Sequence, residues 1–185
     1  MERLSFKGVF CACLFALAAC ASDESIQDTT ETPEVVESCV FDDYLADTAC
    51  AYDAANAGPT VGFSAANFCF SGQKEGEFWL HDYCGTTDLV WLILSTGWCI
   101  PCQEHAPYID EVYRAYKDQG LVVVWVIGET LDYAPPNQLA VDKFIEARNV
   151  TFPVFFDYRF KKVYEQLEPQ GSSLPHMYLL DGKTM

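Results

Sequence analysis

The stretch that decides the fold is Leu89–Cys102, which reads LVWLILSTGWCIPC. Its first six residues form a continuous apolar run, typical of a strand that is covered on both faces of a sheet. The stretch ends in two cysteines separated by two residues, Cys99 and Cys102. Over Pro107–Tyr116 the apolar side chains largely recur at helix-face spacing, and Gly120 marks the helix end. The sequence therefore predicts a buried strand that turns into a helix at a CxxC motif.

The position of this motif favours redox chemistry. Unpaired backbone N–H groups and the positive end of a helix dipole favour the thiolate of Cys99, which makes it the attacking sulfur. Cys102 lies one helical turn later, within disulfide reach, and Pro101 fits the first turn, where an N–H is not needed. A zinc site needs a second Cys/His pair, and His105 and His176 are too isolated to supply one. A purely structural disulfide is the other alternative, but CxxC on a βαβ pattern is the recognised redox signature.

The remaining pattern predicts an α/β fold. Two short β-prone runs, 67–71 and 77–80, flank a turn with two glycines and indicate a hairpin. A second apolar run, an amphipathic helix, a short strand, a short helix and a final strand follow the CxxC helix. These elements are expected at Leu121–Ile127, 137–148, Pro153–Phe156, Phe160–Leu167 and His176–Leu180. Strands that alternate with helices at this spacing imply βαβ units with right-handed crossovers and a central mixed, largely parallel sheet.

Composition and charge limit the classes of function. The chain has 185 residues, of which 27 are acidic and 11 basic, and a net charge of −16. This length fits one domain, and the acidic balance argues against nucleic-acid binding, which needs clustered Lys and Arg. No Lys or Arg occurs between Lys7 and Lys74. Residues 20–38 are polar, acidic and rich in Ser and Thr, so we expect an extended, solvated tether there.

The N-terminus resembles the leader of a bacterial lipoprotein. Two basic residues, Arg3 and Lys7, precede an apolar run, Val9–Ala18, that is too short to span a bilayer. Leu17–Cys20 reads LAAC and resembles the lipobox, in which cleavage occurs just before a lipid-modified cysteine. We therefore expect a signal peptide at 1–19, a lipid anchor at Cys20 and an extracytoplasmic protein that faces the periplasm or the cell surface. The alternative is an ordinary secretory leader, with Cys20 as a free thiol. It would place the protein on the same side of the membrane.

The cysteines indicate disulfides. Of the nine, Cys11 and Cys13 leave with the leader and Cys20 takes the lipid, so that six remain. An even set in an oxidising compartment is typical of disulfide pairing. Besides the CxxC pair these are Cys39, Cys50, Cys69 and Cys84. Four cysteines allow three connectivities, among which the sequence does not choose. We expect one or two bridges that clamp an N-terminal extension, residues 39–66.

Residues 67–185 resemble the thioredoxin superfamily, and specifically the membrane-tethered extracytoplasmic thiol–disulfide oxidoreductases of the TlpA/ResA type. The motifs that carry the resemblance are WCIPC at Trp98–Cys102, Pro107, FPV at Phe152–Val154 with Asp157, and LPH at Leu174–His176 followed by YLLDG at Tyr178–Gly182. The resemblance implies a thioredoxin-like domain in which Cys99 and Cys102 are catalytic. It also implies a cis-proline at Pro175 facing the active-site sulfurs. Trp98 and the backbone of Leu174 would then contact an incoming peptide.

The sequence also departs from this family pattern. The acid that thioredoxins bury would fall six residues before Cys99, and that position is Ile93. TlpA-like proteins often carry Glu three residues after the second cysteine, where this chain has His105 beside Glu104. Proton transfer at Cys102 is therefore assigned to His105, Glu104 or water. A strand and a packing helix usually follow the strand at 176–180, so we expect a domain truncated at its C-terminus.

The expected activity is dithiol–disulfide exchange with extracytoplasmic protein substrates, with no metal and no diffusible cofactor. A membrane or periplasmic redox partner would recycle the pair, and the resemblance favours the reducing direction. A thiol peroxidase is one alternative, because Thr96–Cys99 echoes the Thr-x-x-Cys of peroxiredoxins, although the proline of that family is Leu92 here. The other is a non-catalytic surface lipoprotein of the same fold, which the truncation and the missing buried acid favour.

Overall fold

Strands and helices alternate in the order that the sequence predicts. The computed structural model describes residues 50–73, 76–169 and 171–185, so the predicted signal peptide, tether, Cys20 and Cys39 lie outside the described residues. The described residues form six strands and three α-helices. These are β1 (Cys69–Gln73), β2 (Gly76–Trp79), β3 (Leu89–Ser95), α1 (Ile100–Tyr116), β4 (Leu121–Ile127), α2 (Gln138–Arg148), β5 (Val154–Phe156), α3 (Lys161–Gln166) and β6 (His176–Asp181). None of the described helices is long and apolar enough to cross a membrane.

The six strands form one mixed sheet in the order β2-β1-β5-β4-β3-β6. Its centre is parallel, because β3 pairs with β4 and β4 with β5 in the same direction. The predicted hairpin, β1 with β2, is antiparallel, and so are the pairs β1–β5 and β3–β6. The predicted mixed α/β sheet is confirmed. The expectation that it is largely parallel is correct only for its centre, since β6 and the hairpin both join in the opposite direction.

Alternating side chains of β3 and β4 build two apolar cores, one on each face of the sheet. Val90, Leu92 and Leu94 face a core that also contains Val163 of α3 and the aromatic side chains of the hairpin. Ile93 and Trp125 belong to the other core, which α1 and α2 cover with side chains such as Ala106, Ile109, Val141 and Phe144. Both faces of the central strands are therefore buried, which explains why their sequences are continuously apolar.

The described part of the N-terminal extension is tied to the rest of the domain. Cys50 forms a disulfide with Cys84, which confirms that a bridge clamps the extension. Cys69 is disulfide-bonded as well. The backbone N–H of Ala51 donates to the carbonyl of Lys183 at 2.8 Å, and that of Ala65 donates to Met185 at 3.0 Å. The extension therefore packs beside the C-terminal residues of the chain.

Candidate active site

The CxxC motif begins α1 directly after the buried strand β3. Cys99 is the N-cap residue of the helix, and its Sγ accepts the backbone N–H of Cys102 at 3.2 Å. Pro101 occupies the first turn, where its missing N–H leaves no helical bond unmade. The backbone carbonyl of Cys99 accepts the N–H of Gln103 at 3.1 Å. The first sulfur thus lies against the N–H groups at the positive end of a long helix, an arrangement that favours a thiolate.

Cys99 and Cys102 form a disulfide in this structure. The S–S distance is 2.05 Å and the Cα atoms are 5.3 Å apart. Cys102 is fully buried, whereas Cys99 keeps 4% of its surface exposed. Ile93 and Trp125 belong to the same apolar cluster as both cysteines. Both cysteines are therefore buried, and Cys99 is the less buried of the two.

The loop before β6 lies at the same end of the sheet as the cysteines. His176 begins β6 and pairs with Leu94, close to the residue where β3 ends and the CxxC segment starts. The peptide bond between Leu174 and Pro175 is cis. Leu174 is partly buried and packs against the cluster that contains Cys99. The structure thus places Leu174 and Pro175 at the sheet end where the CxxC segment begins, and their contact with a substrate stays a prediction.

Trp98 is fixed by residues that the sequence did not indicate. Its indole Nε1 donates to Oε2 of Glu129 at 2.9 Å, and its ring stacks on Tyr133 with 5.4 Å between ring centroids. The other carboxylate oxygen of Glu129 accepts Nε of Arg159 at 3.2 Å. Glu129 and Tyr133 lie in the loop after β4. The available signal was that this loop follows a parallel strand and so emerges at the same sheet end as the CxxC segment.

His105 and Glu104, the predicted proton-transfer residues, are exposed on α1. His105 Nδ1 lies 2.7 Å from the carbonyl oxygen of Pro101, one turn earlier in the same helix. Among the contacts of the described residues, none joins either side chain to Cys102. Their role therefore stays a prediction.

Comparison with known proteins identifies the family. The model of the AhpC/TSA family matches residues 61–185, which is more than half of the chain. The chain belongs to the AhpC/TSA family. Among curated relatives, it is 37% identical over 98 residues to a thiol-disulfide oxidoreductase ResA of Geobacillus kaustophilus, an alignment that covers 52% of this chain and 51% of the relative. To the protein of the same name from Geobacillus thermodenitrificans it is 36% identical over 123 residues, which are 65% of this chain and 63% of the relative.

Solved structures place this AhpC/TSA chain in the predicted fold. A protein assigned as a thiol:disulfide interchange protein DsbE from Chlorobium tepidum superposes with a TM-score of 0.52 at 25% identity, over 65% of this chain and 77% of that one. The thioredoxin-like fold predicted from the CxxC segment is confirmed. The chain spans only about half to two thirds of the length of the two curated relatives.

A buried polar group of this AhpC/TSA domain lies just after β5. The backbone N–H of Asp157 donates to Ile127 at 3.1 Å, and its Oδ2 accepts the backbone N–H of Val163 at 3.1 Å. Burial raises the pKa of the Asp157 carboxyl, although its hydrogen bonds act in the other direction. Burial also lowers the pKa of His176, which stacks on Tyr178, and raises the pKa of Tyr178 to about 12. At neutral pH the histidine and the tyrosine are therefore neutral.

Metal-ligating side chains are spread out in the part of the AhpC/TSA domain that the structure describes. Within residues 50–73, 76–169 and 171–185, no group of three or more His, Cys, Asp or Glu side chains is placed to hold an ion. The polar groups near the CxxC motif include the backbone N–H of Cys102, the Thr96 hydroxyl and the Glu129 carboxylate.

Proposed function

We propose that this chain is a thiol–disulfide oxidoreductase that uses Cys99 and Cys102 as a redox-active pair. The observation that carries the proposal is the position of Cys99 as N-cap of α1, with its Sγ accepting the N–H of Cys102. This N–H and the helix dipole stabilise a thiolate on Cys99, the less buried cysteine of the pair. The names of the two Geobacillus relatives support the same activity.

The proposed reaction is a two-step exchange. The Cys99 thiolate attacks one sulfur of a substrate disulfide, forms a mixed disulfide and releases the other substrate sulfur as a thiolate. Cys102 loses its proton and attacks the Cys99 sulfur, which releases the second substrate thiolate. The substrate gains two electrons and the Cys99–Cys102 pair loses them. The complete burial of Cys102 favours this order, because Cys99 is the less buried cysteine and so the one that meets the substrate first.

The setting of the reaction also belongs to the proposal. The LAAC segment that ends at Cys20 and the acidic residues after it favour a lipid-anchored protein on the extracytoplasmic side of a bacterial membrane. Its substrates are disulfide-containing proteins, and a membrane or periplasmic redox partner recycles the pair. No diffusible cofactor is needed, because both electrons reside on the sulfurs. The family resemblance favours the reducing direction.

The reduction potential of the pair tests this function. The purified protein is equilibrated in glutathione or dithiothreitol buffers, and the thiols of Cys99 and Cys102 are mapped by mass spectrometry. A reversible couple near −270 mV supports a reductant, and one near −120 mV supports an oxidant. A pair that never opens contradicts the proposal and favours the non-catalytic lipoprotein.

Matched cysteine variants assign the roles of the two sulfurs. We expect Cys99→Ser to lose insulin reduction. We expect Cys102→Ser to accumulate a mixed disulfide with the substrate, because its first sulfur still attacks but nothing resolves the product. A Cys99→Ser variant with normal reductase activity contradicts the assignment.

A thiol peroxidase is the second candidate, and one observation favours it. Thr96 Oγ1 is buried three residues before Cys99 and has no hydrogen-bond partner among the described residues. In the peroxidase reaction this unpaired hydroxyl would donate to the bound peroxide. In that reaction Cys99 takes one peroxide oxygen to become a sulfenic acid, the alcohol leaves, and Cys102 forms the disulfide with loss of water. Peroxide consumption that disappears in both Cys99→Ser and Thr96→Val would support it.

A further inference from the structure

The loop between β4 and α2 builds an aromatic surface beside Cys99. Tyr133 of this loop stacks on Trp98 with an interplanar angle of 25°, and we call these two residues the aromatic pair. Tyr133 is 64% exposed. Leu131 in the same loop and Ile100, the residue after Cys99, are each 69% exposed. Large apolar side chains that are exposed together mark interaction surfaces. Trp98 and Ile100 flank Cys99 in the chain, so this surface lies next to the attacking cysteine.

The aromatic pair is held in place by Glu129. Both carboxylate oxygens of Glu129 are used, one by the Trp98 indole and the other by Arg159. The backbone carbonyl of Glu129 also accepts the N–H of Gly97 at 2.7 Å. A Cβ on Gly97 would lie 2.5 Å from the backbone N of Leu131, so glycine permits this close approach. The loop is therefore docked on the segment that leads into the CxxC motif.

The backbone of Tyr133 is strained in this loop. Its φ of 60° lies in the left-handed region, which a bulky residue rarely adopts. The N–H of Tyr133 donates to the carbonyl of Thr130 at 3.2 Å, and the Thr130 Oγ1 accepts the N–H of Ala134 at 3.1 Å. These bonds keep the loop in the strained form that presents the tyrosine ring to Trp98. Strain of this kind is concentrated at sites that act on ligands.

We propose that Tyr133 is a specificity-determining residue, and that the aromatic pair binds an apolar or aromatic side chain next to the reacting cysteine of the substrate. This inference rests on the proposed function. Trp98 immediately precedes Cys99, so a residue flanking the substrate cysteine comes to lie on the aromatic pair when the mixed disulfide forms. Aromatic rings bind apolar and aromatic side chains through stacking and the exclusion of water. The substrate class is thus a disulfide flanked by such residues.

The test compares two disulfide-linked peptides that differ only in the residue next to the cysteine, Phe in one and Ser in the other. The reduced full-length protein is assayed for kcat/KM on each. We expect the wild-type chain to prefer the Phe peptide about fivefold. Tyr133→Ala should bring the ratio close to one, and Tyr133→Phe should retain it because the ring remains. Tyr116→Ala, which removes an exposed tyrosine at the far end of α1, should also retain it.

A binding measurement separates the specificity proposal from the proposed function. Dye-labelled peptides in which Ser replaces the cysteine are titrated with each variant, and fluorescence anisotropy reports binding without exchange. Exchange without a Phe preference overturns the role of Tyr133 and leaves the oxidoreductase proposal intact. Phe-selective binding that Tyr133→Ala abolishes, in a protein without exchange activity, supports the binding surface and overturns the oxidoreductase. Preference retained in Tyr133→Ala overturns the role of Tyr133.

Discussion

Ile93 occupies the position where the family resemblance leads one to expect a buried acid. It is fully buried, belongs to the apolar cluster of Cys99 and Cys102, and stands opposite Trp125 in the parallel pair β3–β4. We expect Ile93→Asp to lower the free energy of unfolding by about 3 kcal/mol or more, because a carboxyl without a partner would be desolvated. Urea denaturation of the oxidised protein measures this loss.

The pH dependence of that loss identifies its cause. The introduced carboxyl is neutral at low pH, so the destabilisation should be larger at pH 8 than at pH 5. Ile93→Val is the matched control, since it removes one methylene and should lower the free energy of unfolding by about 1 kcal/mol at both pH values. Equal losses for the two variants would show that the space around Ile93 accommodates a charge.

Single residues differ in how far the sequence alone predicts their role. Cys99 and Cys102 were predictable, because their spacing and their position after an apolar run define both the chemistry and the geometry. Glu129 was not, because its contact with Trp98 spans 31 residues and depends on how one loop folds back. Tyr133 is missed for the same reason, since a left-handed tyrosine has no sequence signature. The reactive pair follows from local pattern, and its surroundings follow from tertiary contacts.

At the scale of elements, Asp157 links the end of β5 to the start of α3. Its Oδ2 accepts the N–H of Val163, and burial raises its pKa. A raised folded-state pKa means that the fold favours the protonated carboxyl. The contribution of Asp157 to the free energy of unfolding is therefore largest below its unfolded pKa of about 3.9. We expect the stability of the wild-type chain, relative to Asp157→Asn, to fall as the pH rises from 3 to 7. Urea denaturation across this range measures the difference.

Asp181 is a control for which the stability contributed by the carboxyl should change with pH in the opposite direction. Hydrogen bonds from the backbone of Lys183, and further bonds from Thr184, lower the pKa of the Asp181 carboxyl. Its ionised form therefore stabilises the fold, and the advantage of the wild-type chain over Asp181→Asn should grow as the pH rises through the same acid range. Identical trends in the two variants would rule out the assigned causes.

The elements themselves were predictable to a large extent, whereas their pairing directions were not. The apolar runs of β3 and β4 are continuous because both faces of the sheet are covered, and that pattern is visible in the sequence. The direction in which β6 pairs with β3 is set by the path of the chain from α3 through the loop at Pro175. Hydrophobic periodicity carries no information about that path. The sequence therefore did not predict that the sheet has more antiparallel than parallel strand pairs.

At the scale of the molecule, the two ends of the described chain are joined to each other. The extension reaches the C-terminal residues through Ala51 and Ala65, and Pro59 accepts the N–H of Glu168 at 2.9 Å. The Cys50–Cys84 disulfide closes a separation of 34 residues, so it restricts that segment in the unfolded chain. The covalent bridge and the backbone contacts hold the same segment, which indicates that residues 50–66 of the extension are part of the folded domain.

The disulfides give the last prediction. Peptide mapping of the unreduced protein should show Cys50 linked to Cys84, and Cys69 linked to Cys39, the remaining cysteine once the leader and Cys20 are set aside. We expect the double variant Cys50→Ala/Cys84→Ala to lose about 4 kcal/mol of unfolding free energy on the chain-entropy model. The loss for Cys99→Ala/Cys102→Ala should be about 2 kcal/mol, because only 3 residues separate that pair. Equal losses in the two double variants would contradict the dependence of stability on loop length. A Cys69 peptide linked to a cysteine other than Cys39 would contradict the expected pairing.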